Sequence, residues 1–219
     1  MRNLGKALEL AKKDLRIEFR TKNTINFMLL FALITSMMFS VAVPISVAGK
    51  VAPALMWLVF LFVGMLGYSR AFLREVELET LDALRISPIS PSSVLLGKVI
   101  YNISLMLLME VTILPIFLAL FNLSIADPLL LLVAVTAGNV GFVVVSSSLS
   151  VLVIKSKSRE LLLPVIMFPV IFPIITSTIN AVNAAMRGGD AIPHLAIIGA
   201  FCVIMVTVSL LTFDYAFTE

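Results

Sequence analysis

Six long apolar segments dominate the sequence, and short polar stretches separate them. The only ionisable acid within the segments is Glu110, and the only histidine is His194. A membrane-spanning helix needs about 20 consecutive, mostly apolar residues. The pattern therefore predicts an all-α protein with six transmembrane helices, in a single membrane domain over residues 1–219. The six segments are residues 24–49, 51–69, 99–126, 128–154, 161–186 and 191–213.

Composition excludes a water-soluble globular domain. Hydrophobic residues make up 60% of the chain and charged residues 13%, with a mean hydropathy of +1.11, whereas soluble domains carry about 25% charged residues. The single cysteine, Cys202, excludes an internal disulfide and a thiolate metal cluster. The sequence has no phosphate-binding loop, so we expect no ATP hydrolysis by this chain and no enzyme activity. We expect the protein to contact the lipid bilayer and to bind no nucleic acid.

The distribution of lysine and arginine predicts the orientation. Fourteen of the 16 basic residues fall before the first segment or in the second and fourth connections. The other two are Lys50 and Arg187. Because basic residues favour the cytoplasmic side, we expect the N- and C-termini in the cytoplasm and the protein in the cytoplasmic (inner) membrane.

Residues 3–20 have the pattern of an amphipathic helix. Leu4, Leu8, Ala11, Leu15 and Phe19 recur at intervals of three and four residues, and basic side chains lie opposite them. Such a pattern favours a cytoplasmic helix, within residues 1–23, that lies in the membrane interface. The alternative is a general basic anchor with no mechanical role.

A second amphipathic segment, residues 70–90, separates the second and third spans. Its apolar residues Phe72, Val76, Leu81 and Leu84 share one side of a helix, and Pro88 is expected to end that helix. On composition alone the segment is a solvated loop helix.

The run from Glu75 to Pro88 resembles the cytoplasmic signature of ABC-2-type exporter permeases. The usual glycine before Thr80-Leu81 is a glutamate, Glu79. In such permeases this helix docks into a groove of the ATP-binding subunit. The resemblance therefore implies a coupling helix whose contact residues are Phe72, Glu75, Val76, Glu79, Thr80, Leu81 and Leu84.

A later block, residues 157–164 followed by Phe168-Pro169 and Phe172-Pro173, resembles the heme exporter protein B family. Members are permease subunits of the cytochrome c maturation ABC transporter. The resemblance implies a separate cytoplasmic ATPase, a heme-handling membrane partner and two copies of this chain per complex. Heme is then a possible substrate and not a bound cofactor. The alternatives are a general ABC-2 exporter for a lipid, drug or polymer, and a non-transporting membrane scaffold.

Two single residues within the spans are candidates for chemistry. An ionisable group inside a membrane is by default a functional hypothesis. Glu110 is therefore either a functional carboxyl group or a protonated structural one bonded to a neighbouring helix, for example at the Ser146–Ser148 stretch. His194 is either an interfacial residue or a heme ligand, and no metal site is predicted.

Prolines and small residues mark two other spans. Pro164, Pro169 and Pro173 predict a broken or kinked fifth span. Ala134, Gly138 and Gly141 in the fourth span predict close helix packing, either within the chain or between two copies.

The orientation can be tested by labelling single cysteines in a Cys202→Ala background. Cysteines at Lys50, Asp127 and Arg187 should react with an impermeant reagent added outside the cell. Cysteines at Arg85 and Lys157 should react only after permeabilisation. Outside labelling at Arg85 would reverse the predicted orientation.

Overall fold

The computed structural model describes the backbone of residues 2–77, 91–153 and 159–218, and the side chains of residues 4–67, 93–149 and 162–209. All regular structure in these residues is helical, as predicted. The helices are α1 (Arg2–Thr21), α2 (Asn23–Ala42), α3 (Ile45–Glu77), α4 (Pro91–Phe121), α5 (Pro128–Val153), α6 (Arg159–Arg187) and α7 (Ile192–Thr218).

Six of these helices, α2 to α7, are long and apolar enough to cross a membrane. This confirms the predicted number of spans. The first predicted segment was too long at its C-terminal end, because α2 ends at Ala42 and Lys50 lies inside α3. The cause is Pro44, which disfavours helical geometry in the preceding residue. Val43 is accordingly extended, with φ −94° and ψ 120°.

Helix α5 forms the centre of the bundle. Of the residues in its most apolar stretch 61% are buried, against 22% for α2 and 17% for α7. It contacts α3, α4, α6 and α7, and Val135, Phe142 and Val145 on it are buried in the hydrophobic core. The peripheral helices α2 and α7 therefore present most of their apolar surface outward, as expected for helices that face lipid.

Two glycines allow neighbouring helices to approach α5 closely. A methyl group at Gly138 would lie 2.5 Å from Thr178 Cγ2 on α6 and 2.9 Å from the Trp57 ring on α3. A methyl group at Gly141 would lie 3.0 Å from Ile174 Cδ1. The small residues of the fourth span thus serve packing within the chain, one of the two alternatives that the sequence left open.

Helix α6 continues through all three of its prolines. Pro164, Pro169 and Pro173 lie inside the single helix Arg159–Arg187, so the predicted break is wrong, while a kink stays a prediction. Each proline removes one backbone donor, but the three are spaced so that hydrogen bonds remain between them. An actual break in lipid would expose many more unpaired backbone groups.

The close packing at Gly138 predicts a difference between two Gly→Ala variants. Gly138→Ala should destabilise the protein by about 1–3 kcal/mol, because the new methyl group overpacks α5 against Thr178 and Trp57. Gly199→Ala on α7 is the matched control, since nothing lies within 4 Å of its added carbon. Thermal unfolding in detergent should show a lower midpoint for Gly138→Ala alone. Equal midpoints would show that this approach of helices is not tight.

Candidate functional site

The predicted coupling residues fall partly on α3. Phe72, Glu75 and Val76 belong to its last turns, and α3 runs without a break from Ile45 to Glu77. The beginning of the predicted coupling helix is therefore a continuation of the second span. Outside the described residues lie Glu79, Thr80, Leu81 and Leu84.

The length of α3 shows how far this continuation reaches. Its 33 residues correspond to roughly 50 Å of helix, whereas the hydrocarbon core of a bilayer is about 30 Å thick. The second span predicted from the sequence ends at residue 69, and the eight helical residues 70–77 that follow it correspond to roughly 12 Å. The first part of the signature is therefore expected to lie outside the apolar layer.

Helix α1 packs against the start of α4, the helix that follows the coupling segment. A methyl group at Gly97 on α4 would lie 3.0 Å from both the Ala7 carbonyl oxygen and Leu10 Cδ2. Ala7 and Ala11 are completely or almost completely buried. Small residues on both helices therefore bring their backbones together.

A buried ion pair joins the same two helices. Lys98 Nζ donates to Asp14 Oδ2 at 2.7 Å, and the two side chains are only 3% and 12% exposed. An unpaired charge in such a place would be costly, whereas a short, hydrogen-bonded pair is tolerated. The pair fixes the position of α1 along α4.

A second buried carboxylate, Glu18, connects α1 to α2. Its Oε1 accepts hydrogen bonds from the Thr24 and Ile25 backbone amides at 2.7 and 3.3 Å, and its Oε2 accepts one from the Thr24 hydroxyl at 2.9 Å. The first amides of a helix lack partners within it and favour a negative charge. Glu18 therefore caps α2 across the bend at Lys22, whose φ is 56°.

The predicted apolar stripe of α1 is divided between two surroundings. Leu4, Leu8 and Phe19 are more than half exposed, Ala11 is buried and Leu15 is half-buried. The packed side instead contains Ala7, Leu10 and Asp14, which contact α4, and Glu18, which binds α2. Sequence analysis missed both acidic residues, although an acidic pair four residues apart on a basic helix is a visible signal.

Glu110 lies in the interior and binds α5. Its side chain is 1% exposed. Thr136 Oγ1 donates to its Oε1 at 2.7 Å, and Asn139 Nδ2 donates to its Oε2 at 2.8 Å. The neighbouring helix is the one that contains the Ser146–Ser148 stretch, but the donors to Glu110 are Thr136 and Asn139. Ser146 and Ser148 donate to Phe142 and Val144 carbonyl oxygens within their own helix, a local bond that competes with bonds to other helices.

His194 lies apart from these residues. It is a half-buried residue in the first turn of α7, at the end of a span, whereas Glu110 is near the middle of one. The described residues contain no group of three His, Cys, Asp or Glu side chains close enough to hold a metal ion. Within the described residues, His194 is therefore not part of such a group.

The helices and their buried contacts define a multi-pass α-helical membrane protein with six apolar spans. Residues 5–218 match the family described as CcmB protein. The chain belongs to this family, that of heme exporter protein B, and is a membrane permease and not an enzyme. No curated protein sequence matches the chain.

The ion pair between α1 and α4 predicts a non-additive pair of substitutions. Asp14→Leu or Lys98→Met alone should each cost about 3 kcal/mol or more, because each leaves the other charge buried without this partner. The double variant should recover most of that loss. Unfolding in detergent, followed by near-ultraviolet circular dichroism, measures the three variants.

Lys13→Met provides the control for this cycle. Lys13 Nζ lies 3.4 Å from Asp14 Oδ1, but its side chain is 54% exposed, and exposed pairs contribute little. Its effect should be below about 1 kcal/mol. Strictly additive losses in the double variant would contradict the assigned role of the Lys98–Asp14 contact.

Proposed function

We propose that this chain is the membrane subunit through which a separate cytoplasmic ATPase drives heme handling for c-type cytochrome biogenesis. The observation that carries the proposal is the family match over residues 5–218, nearly the whole chain. The extension of α3 beyond its span gives the ATPase a place to act. The basic residues at one side of the predicted topology support cytoplasmic termini in the cytoplasmic membrane.

Movement of the ATPase would reach the bundle through the two ends of the coupling segment. One end continues α3, and the other leads into α4 at Pro91. Because Lys98 and Gly97 hold α4 to α1, and Glu18 holds α1 to α2, a displacement at residues 78–90 would also move the first span. The contacts of α1 with α2 and α4 would thus distribute the motion over these three helices.

Helix α1 would remain at the membrane surface during this motion. Its exposed apolar side chains Leu4, Leu8 and Phe19 are suited to lipid, and Lys12, Lys13, Arg16 and Arg20 are suited to phosphate head groups. This supports an interfacial helix over a simple basic anchor, because one further face is packed on α4.

Heme enters the proposal as a substrate, with no resident cofactor in this subunit. A heme-handling membrane protein would be the second partner, and two copies of the chain would complete the complex. ATP-driven release of a heme carrier and passage of heme through the subunit both fit this arrangement. His194 is the one histidine available for a transient heme contact.

The two alternative functions are a general exporter of lipids, drugs or polymers and a non-transporting membrane scaffold. Either one could have the same fold. In a scaffold the ATPase turnover would not depend on this chain. In a general exporter the ATPase would be coupled, but loss of the chain would leave cytochrome c maturation intact. The family assignment favours heme handling over both.

The coupling segment provides the direct test. Leu81→Ala together with Leu84→Ala should release the ATPase, or uncouple its hydrolysis from maturation. Buried apolar anchors carry most of the energy of an interface, and each truncation should cost about 2 kcal/mol, roughly thirtyfold in affinity. Pull-down of the ATPase in detergent, with ATP turnover and cytochrome c maturation, measures the effect.

Glu77→Ala is the control within the same segment. A charge at the edge of an interface mainly changes association rate and salt sensitivity, so binding should stay close to the wild-type level. The double leucine variant must also reach the membrane in normal amount. Undiminished binding and turnover in that variant would place the ATPase contact elsewhere, such as residues 155–160 or α1.

A further inference from the structure

Buried polar side chains follow α4 from its beginning to the middle of the membrane. Lys98, Asn102 and Glu110 are at most 4% exposed. Asn102 lies one helical turn after Lys98, and Glu110 lies two turns after Asn102. Of these, Lys98 is paired with Asp14, whereas Asn102 Nδ2 is buried and has no hydrogen-bond partner among the described residues. A polar series of this kind is unnecessary for packing alone.

Glu110 provides a hydrogen-bond partner for only one end of the Asn139 side-chain amide. With Nδ2 donating to the carboxyl group, Asn139 Oδ1 is buried without a partner. Rotating the amide would let Oδ1 accept a hydrogen bond from the O–H of a neutral Glu110, but Nδ2 would then lose its acceptor. The ionised and the neutral acid therefore each leave one end of the amide unmatched by the described residues, and a water molecule can satisfy either end.

Two further buried polar atoms lack partners at the same level. They are Trp57 Nε1 and Thr178 Oγ1, and both side chains lie against Gly138, the residue before Asn139. Trp57, Glu110, Asn139 and Thr178 all lie within four residues of the middle of their candidate spans. Helices α3, α5 and α6 thus place three buried polar atoms without a partner among the described residues near the middle of their spans, as α4 places Glu110.

A small cavity lies on the approach to Glu110. Its volume is about 10 Å³, and Asn102, Met106, Phe142 and Val143 are among its lining residues. A cavity of about this size holds one water molecule. Met106 is one turn before Glu110, and Val143 is one turn after Asn139, so the cavity is about one turn from the Glu110–Asn139 contact, on the side of Lys98.

We propose that Glu110 is a proton-binding site at midspan, reached by water along the α4 residues Lys98 and Asn102 from the end of the bundle where α1 lies. Its carboxylate accepts a proton from a hydronium ion, which leaves as water, and the reverse step returns the proton. Thr136 and Asn139 hold the carboxyl group, and the unmatched amide end binds the adjacent water. The proposal does not depend on heme being the substrate.

The other titratable groups among the described side chains of α4 and the helices around it can be named helix by helix, and α6 has Arg187 in its last turn. Helices α2 and α5 have no ionisable side chain there, and α3 has Lys50 in its second turn. Helix α7 has His194 in its first turn and Cys202, whose sulfur lies near Gly141. On α4 itself Tyr101 is a buried neighbour of Asn102. Helix α1 brings the Asp14 carboxylate to α4, where it pairs with Lys98.

Infrared difference spectroscopy of the full chain tests the proposal directly. The protein is purified with the proteins that bind it, reconstituted in lipid, and recorded across the pH range in which the complex stays assembled. The carbonyl stretch of a protonated carboxyl group should grow as pH falls, and shift in heavy water. Glu110→Gln should abolish this band.

Paired threonine variants assign the band even where Glu110→Gln does not assemble. Thr136→Val removes a hydrogen bond to the carboxyl group and should shift the band. Thr112→Val is the matched control, because Thr112 Oγ1 donates to Leu108 O within α4. Asn102→Leu should slow the shift of the band after transfer to heavy water, since it removes a polar group from the water path.

The outcomes separate the alternatives. A band that titrates, disappears in Glu110→Gln and moves only with Thr136→Val supports the proton site. A band of constant size at every pH, or none at any pH, means a permanently neutral or permanently ionised carboxyl group and overturns it. An unchanged exchange rate in Asn102→Leu overturns the proposed path. A titrating band in a protein whose deletion leaves cytochrome c maturation intact would contradict the proposed function alone.

Discussion

The absence of water in the bilayer core is the constraint on which this structure depends. Each backbone amide and carbonyl group within a span must find its partner inside the protein, and helices provide those partners locally. The constraint explains why α6 stays helical through three prolines that would disrupt a helix in water. It also explains why every polar side chain inside the bundle is informative, since each one must be satisfied or cost free energy.

The charged contacts of α1 follow the same reasoning at the edge of the apolar layer. Asp14 and Glu18 lie on its buried face, and each meets a positive partner, the Lys98 ammonium group or the amino end of α2. These contacts do not increase affinity for lipid. They determine the angle and position of α1 relative to α2 and α4, and so make α1 a part of the bundle.

Much of the fold was predictable because hydrophobic length is a local property. The six spans, the amphipathic pattern of α1 and the burial of Glu110 could be read from the sequence, and so could small-residue packing on α5. The partners of Glu110 could not. The sequence offered three serines in α5, but the register between α4 and α5 selects Thr136 and Asn139. The Lys98–Asp14 pair joins residues 84 positions apart, and no short-range pattern determines such a contact.

The central position of α5 has a consequence for the order in which the chain enters the membrane. Spans are made from the N-terminus onward, so α4 arrives before α5. Until then Glu110 lacks both of its interhelical hydrogen-bond donors, Thr136 and Asn139. The Trp57 ring on α3 also lacks its packing contact with Gly138. The first three spans therefore form an incomplete intermediate with a solitary carboxyl group. Synthesis of α5 removes that defect, and a chain truncated before Pro128 should be a natural target for membrane quality-control proteases.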